Sequence, residues 1–117
     1  MSAQRAKGTL AETALVKFLI ANGFPGAERR ALHGTEDKGD ITGTPCLAWE
    51  VKNVRQYAIP TWMKETEVER INARADFGLL VVKPNRIGVD SVGQWWCITP
   101  IEQQVRLLRE AGYGDPL

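Results

Sequence analysis

The chain is poor in the residues that build disulfide frameworks and zinc sites. Its 117 residues include only two cysteines, Cys46 and Cys97, and a single histidine, His33. Neither cysteine has a second Cys or His nearby, which fits neither a disulfide framework nor a zinc cluster. Both thiols are expected to act as small apolar residues in a reducing, cytoplasmic setting. No apolar run approaches the roughly 20 residues of a membrane span, and the first residues lack the apolar core of a secretory signal. A membrane partner is therefore not expected. Charge of one sign is also missing: fifteen basic and fourteen acidic residues leave a net charge of +1. The sum gives no argument for a polyanionic partner, so the distribution has to carry it. What remains is ordinary globular composition, 44% hydrophobic and 25% charged, in a chain long enough for a single domain over residues 1–117.

The most informative stretch is Asp40-Ile-Thr-Gly-Thr-Pro-Cys-Leu-Ala-Trp-Glu-Val-Lys52. Gly43 and Pro45 punctuate it between alternating apolar residues, which predicts a two-stranded hairpin. Strand side chains alternate, so Glu50 and Lys52 share one face and Trp49 and Val51 the other. With a three-residue loop, Thr44–Cys46, Ile41 lies opposite Trp49 and Asp40 opposite Glu50, roughly 5 Å apart. A two-residue turn would instead slip the register and put Asp40 on the other face from Glu50. Two carboxylates held that close repel, and Lys52 alone cannot neutralise both. Such pairs are kept by sharing a proton or by binding a hard cation such as Mg²⁺. A divalent ion on Asp40 and Glu50, with Lys52 beside an attacking water, is an arrangement for phosphodiester cleavage.

Around this hairpin the elements follow from periodicity and punctuation. Met1–Lys7, polar with Arg5 and Lys7, is expected to be a mobile arm, with a basic strand along a phosphate backbone as its functional alternative. Thr9 and Glu12 form a capping box for a first helix, in which Leu10, Ala14, Leu15, Phe18 and Leu19 recur until Asn22-Gly23. Ala27–His33 is expected to be a strand, so Arg29 and Arg30 face opposite ways. Gly34–Gly39 is a polar loop in which Asp37 is a second choice of metal ligand after Asp40. Pro60 opens a second helix to about Ala75, with Trp62, Met63, Val68, Ile71 and Ala75 apolar and with Glu65 and Glu69 on a solvated face. Phe77–Lys83 is the buried centre of a sheet, and Gln94–Ile98 another strand. Trp49 and one of Trp95 and Trp96 belong to the core, the other being more exposed. Thr99 and Glu102 cap a last helix whose apolar face, Ile101, Val105, Leu108 and Ala111, is expected to serve packing.

Asp40, nine intervening residues and then Glu50-Val51-Lys52 resembles the signature of the PD-(D/E)XK nuclease superfamily. Lys7-Gly8-Thr9 followed by Glu12 resembles the opening of the small archaeal and phage Holliday junction resolvases of that superfamily. The resemblance covers about Lys7 to Lys83. It implies an α/β fold with a mixed sheet flanked by helices, an α-β-β-β-α-β core followed here by one further strand and helix. It also implies a Mg²⁺-dependent endonuclease, with Mn²⁺ as a substitute and no small-molecule cofactor. The implied metal ligands are Asp40, Glu50, Val51 through its carbonyl, and Glu12, and the implied catalytic residues are Asp40, Glu50, Lys52 and Glu12. Branched DNA would be the substrate, a homodimer the working unit, and Arg5, Lys7, Arg29, Arg30, Lys38 and Arg55 the DNA contacts. Resolvases of this kind carry a functional Ser in the loop where this chain has His33, Gly34 and Thr35, which leaves that role open between His33 and Thr35. Other readings are a nickase or flap endonuclease with the same chemistry, and a domain that binds nucleic acid without cutting it.

Overall fold

The nearly unbroken apolar run Phe-Gly-Leu-Leu-Val-Val forms a strand, Phe77–Val82, at the middle of a three-stranded sheet. Strand Leu47–Lys52 pairs with it in parallel, and strand Trp96–Ile98 pairs antiparallel on its other edge. The computed structural model describes residues 2–31 and 36–116. In chain order the elements are α1 (Ala3–Ala21), β1 (Glu28–Arg29), β2 (Ile41–Thr42), β3 (Leu47–Lys52), α2 (Ile59–Asn72), β4 (Phe77–Val82), a 3₁₀ helix (Val89–Gln94), β5 (Trp96–Ile98) and α3 (Ile101–Glu110). This is an α/β architecture with a mixed sheet flanked by helices, in the expected order of elements. No described helix is long and apolar enough to cross a membrane.

Both faces of the sheet are covered. On one, α1 sets Ala11, Leu15 and Leu19 against Ile41, Trp49, Val51, Val81 and Trp95. On the other, Trp62 of α2 packs with Leu80 and Val82. Because strand residues alternate, Trp49 and Val51 meet α1 while Ala48 and Glu50 are turned toward α2. Glu50 is therefore buried between two layers, not left on an open hairpin face. Trp95 is buried and Trp96 exposed, which settles the division of that pair.

Several expectations are corrected. Arg5 and Lys7 are not in a free arm. Helix α1 begins at Ala3, where the Ser2 hydroxyl accepts the Arg5 N–H at 3.1 Å. Thr9 and Glu12 lie inside that helix, so they form no capping box; Ser2 supplies the cap about two turns earlier. Of the strand expected over Ala27–His33, the described residues form only Glu28–Arg29, paired antiparallel with β2. Helix α3 has Pro100 at its N-cap and no side-chain cap. It buries no residue: Ile101, Val105 and Leu108 are exposed. What docks it is polar, since the Gln103 amide accepts the Gly78 N–H at 3.1 Å and donates to the Gly78 carbonyl at 2.8 Å. Both cysteines are exposed, so neither fills the core. His33 and Thr35 lie outside the described residues.

Candidate metal centre

The expected two-stranded hairpin is not formed as a ladder, since β2 pairs with β1 and β3 with β4, and its loop is a two-residue turn, not the three residues Thr44–Cys46. Its turn joins Thr44 to Leu47, whose N–H reaches the Thr44 carbonyl at 3.1 Å. Pro45 occupies the second position and Cys46 the third with φ 68°, the pattern of a type II turn. Gly39 crosses β3 with φ +100°, where an added Cβ would stand 2.7 Å from the Trp49 carbonyl oxygen. That close approach lets the Asp40 N–H bond to the Trp49 carbonyl at 2.7 Å. The next rung is not a backbone pair. Instead the Val51 N–H donates to Asp40 Oδ2 at 2.8 Å. A side chain thus replaces the ladder, which explains why β2 and β3 lie in separate sheets. It also fixes the Asp40 carboxyl beside Glu50 without the regular register anticipated.

Asp40 and Glu50 do converge. Burial pushes Asp40 up to about 8, and the adjoining Glu50 carboxyl adds to this. Glu50, 6% exposed, is likewise pushed to about 8 by burial and then by a third carboxyl, Glu69. Glu69 is in turn raised to about 8 by burial, with Asp37 contributing. Asp40, Glu50, Glu69 and Asp37 thus form a row of neighbouring carboxyls in which each of the first three is raised by the next. One oxygen each from Asp37, Glu50 and Glu69 falls within 4.8 Å of the other two. At the opposite end, burial and the nearby Asp40 raise Glu12 despite its bond from Arg29 Nε at 3.0 Å.

Lys52 supplies the neighbouring positive charge. Its Nζ lies 4.0 Å from Glu50 Oε2 and 3.0 Å from Glu65 Oε2. Burial alone would lower its affinity for a proton, but Glu50, Glu65 and Asp40 outweigh that and raise it. The ammonium also sits 5.8 Å from the centroid of the Trp62 ring. Tyr57 packs edge-on against both Trp62 and Trp96, at 6.3 and 5.8 Å. Tyr57 and Trp96 are exposed, giving an aromatic surface next to the lysine.

The remaining candidates are distributed unevenly. Val51 N–H points toward Asp40, and the carbonyl of a strand residue leaves on the same edge as its N–H. The Lys52 carbonyl faces the other way and accepts the Lys83 N–H at 2.9 Å. The Val51 carbonyl is therefore on the Asp40 side. Arg29 is paired with Glu12 beside the cluster. Arg30 turns the other way, with Nε buried and unpartnered among the described residues. The Lys7 carbonyl accepts from Asn53 Nδ2 at 3.0 Å, bringing the first turns of α1 to the end of β3. Arg5, Lys38 and Arg55 are exposed, and no described contact draws them to the carboxyls.

Glu69 is the residue that the sequence reading misplaced. It is 1% exposed, not solvated, while Val68 and Ile71 beside it are open. The available signal was spacing: Trp62, Thr66 and Glu69 fall on one helical face, and all three are buried. The donors gathered here are hard carboxylate oxygens with few cations to balance them, and the buried Glu69 Oε2 has no hydrogen-bond partner among the described residues. That chemistry suits Mg²⁺, Mn²⁺ or Ca²⁺ and suits no thiophilic metal. No protein-family model matches the chain, and neither curated proteins nor solved structures provide a match.

Proposed function

We propose that this protein is a divalent-metal-dependent endodeoxyribonuclease of the PD-(D/E)XK type, acting as a homodimer on four-way DNA junctions. The observation that carries this reading is the joint placement of Asp40, Glu50 and Lys52, with Asp40 locked by the Val51 N–H. The element order α-β-β-β-α-β, followed by β5 and α3, supports it. Asp40 and Glu50, with the Val51 carbonyl and Glu12, would hold Mg²⁺, or Mn²⁺ in its place. When bound, the ion supplies Lewis-acid stabilisation of the phosphate and eases deprotonation of a water. Lys52 contributes a fixed ammonium where negative charge builds on the phosphate, and Glu65 and Glu50 keep it protonated and in position. Arg29, its side chain 43% exposed beside Glu12, has donors left for a phosphate oxygen. The exposed rings of Tyr57 and Trp96 offer a stacking surface for a base splayed at a junction. Two symmetry-related copies would place one site on each of two opposed strands, leaving 5′-phosphate and 3′-hydroxyl ends.

The test is cleavage of labelled four-way, flap, nicked and linear DNA by the purified chain, with and without Mg²⁺, with light scattering for its mass. Mg²⁺-dependent cutting that favours the four-way form, by a dimer, is expected. Equal cutting of every form would reduce the reading to a general nuclease. Binding of branched DNA without cutting would identify a non-catalytic domain.

A further inference from the structure

We propose a second divalent-cation site, formed by Asp37, Glu50 and Glu69, with Glu50 as the bridge to the ion held by Asp40. Three observations carry it. First, one oxygen from each of the three carboxyls lies within 4.8 Å of the other two, a spacing that one ion can span. Second, Glu69 is 1% exposed, faces this cluster, and its Oε2 is without a partner among the described residues. A buried carboxylate oxygen in a native fold is normally satisfied, so an open one on a glutamate whose carboxyl stands within 4.8 Å of two others marks a place for a ligand. Third, among the described residues no cation is paired with Asp37 or Glu69. Arg70, next in sequence to Glu69, is bonded to Glu67 and to the Ala75 carbonyl. Lys52 makes its short contact with Glu65 and stands 4.0 Å from Glu50.

The surrounding geometry is already fixed without the ion. Asn72, one turn after Glu69 on α2, donates to the Asp37 carbonyl at 2.8 Å. The Gly39 N–H holds Asp37 Oδ1 at 3.0 Å, leaving Oδ2 for a ligand. Helix α2 thus supplies one carboxylate and clamps the loop that supplies another. The site differs from the Asp40 side of the cluster, where Oδ2 is taken by the Val51 N–H. Its ligand class is a hard divalent cation, Mg²⁺ or Ca²⁺ with Mn²⁺ as a probe, joining β3, α2 and the loop before β2.

This inference goes beyond the nuclease reading, in which neither Asp37 nor Glu69 holds an ion. The experiment counts Mn²⁺ bound per full-length chain by electron paramagnetic resonance at neutral pH, in the absence of DNA. Wild type is expected to bind two ions. Glu69→Gln and Asp37→Asn are each expected to bind one, with circular dichroism confirming that they fold. Should the buried Glu69→Gln fail to fold, Asp37→Asn in the exposed loop decides. A folded variant of either kind that binds as many ions as wild type overturns the proposal. Loss of one ion in these variants, together with no cleavage of any DNA by wild type, would keep this site and remove the nuclease reading.

Discussion

Helices α2 and α3 use their faces in opposite ways. In α2 the apolar spacing is irregular, yet Trp62, Thr66 and Glu69 are buried while Val68 and Ile71 are exposed. In α3 the spacing is regular, yet Ile101, Val105 and Leu108 remain exposed and the helix is docked through Gln103. Apolar periodicity states which face could be buried, and the neighbouring layer decides which face is. For α2 that layer is the side of β3 carrying Glu50. Turning a glutamate into this interface gains no stability of its own, because desolvating a carboxylate costs more than Val68 or Ile71 would in its place. A helix that buries Glu69 and exposes Val68 is oriented by the carboxyl of Glu50 opposite it and not by its own apolar residues. A helix that exposes its whole stripe has a surface left over.

This contrast can be broken at several points, taken from the largest expected effect downward. Trp62→Ala removes the apolar anchor that presses α2 onto Leu80 and Val82, and a loss of about 3–5 kcal/mol in urea denaturation is expected. A loss below about 1 kcal/mol would mean that α2 is held mainly by something else. Lys52→Ala should lower cleavage on the order of a hundredfold while leaving metal affinity unchanged or slightly raised, since a nearby positive charge is removed. A collapse of metal affinity, with turnover surviving at saturating metal, would make Lys52 a structural counter-ion.

The acidic row should also be visible in stability. Asp40, Glu50 and Glu69 sit at about 8 against ordinary values of 3.8, 4.5 and 4.5. A carboxyl whose value is raised by folding contributes stability fully below its unfolded value, and that contribution is lost as pH rises through the folded one. Metal-free protein is therefore expected to weaken from about pH 4 toward pH 8. The slope is roughly 1.4 kcal/mol per pH unit for each proton that the folded state keeps and the unfolded state has shed. Saturating Ca²⁺ should flatten this slope by replacing the protons. Melting curves across that window, with chelator and with Ca²⁺, check it, and a metal-free stability that rises with pH would contradict the account. The smallest effect is expected on α3, where Ile101→Ser should shift stability by less than about 0.5 kcal/mol because Ile101 is 78% exposed. A larger loss, reversed on dilution, would show that this stripe is covered by a second copy.

Much of this could be read before any coordinates. The separation of Trp49 and Val51 from Glu50 and Lys52 and the central run Phe77–Val82 follow from alternation and punctuation within short segments, whereas Asp40 reaches Glu50 through its side-chain bond to the Val51 N–H and not through the anticipated register. Other features depended on distant neighbours. The start of α1 was hidden because Gly8 and Thr9 look like a boundary, whereas the helix runs through both from Ser2. Glu69 was hidden because Val68 and Ile71 beside it are the better apolar candidates; only β3, with Glu50 turned toward α2, selects the other face. The Asp40–Val51 bond was hidden for a different reason. Strand rules count backbone pairs, and here a carboxylate stands in for one.

The central claim is that Asp40 and Glu50 act together through a bound cation on a phosphodiester. Asp40→Asn tests it most directly, because the amide oxygen can still accept the Val51 N–H while the charge that holds the cation is gone. Cleavage in Mg²⁺ should fall by about a hundredfold or more, with the circular dichroism spectrum and junction binding in Ca²⁺ retained. Cutting at close to the wild-type rate by this variant would contradict the account.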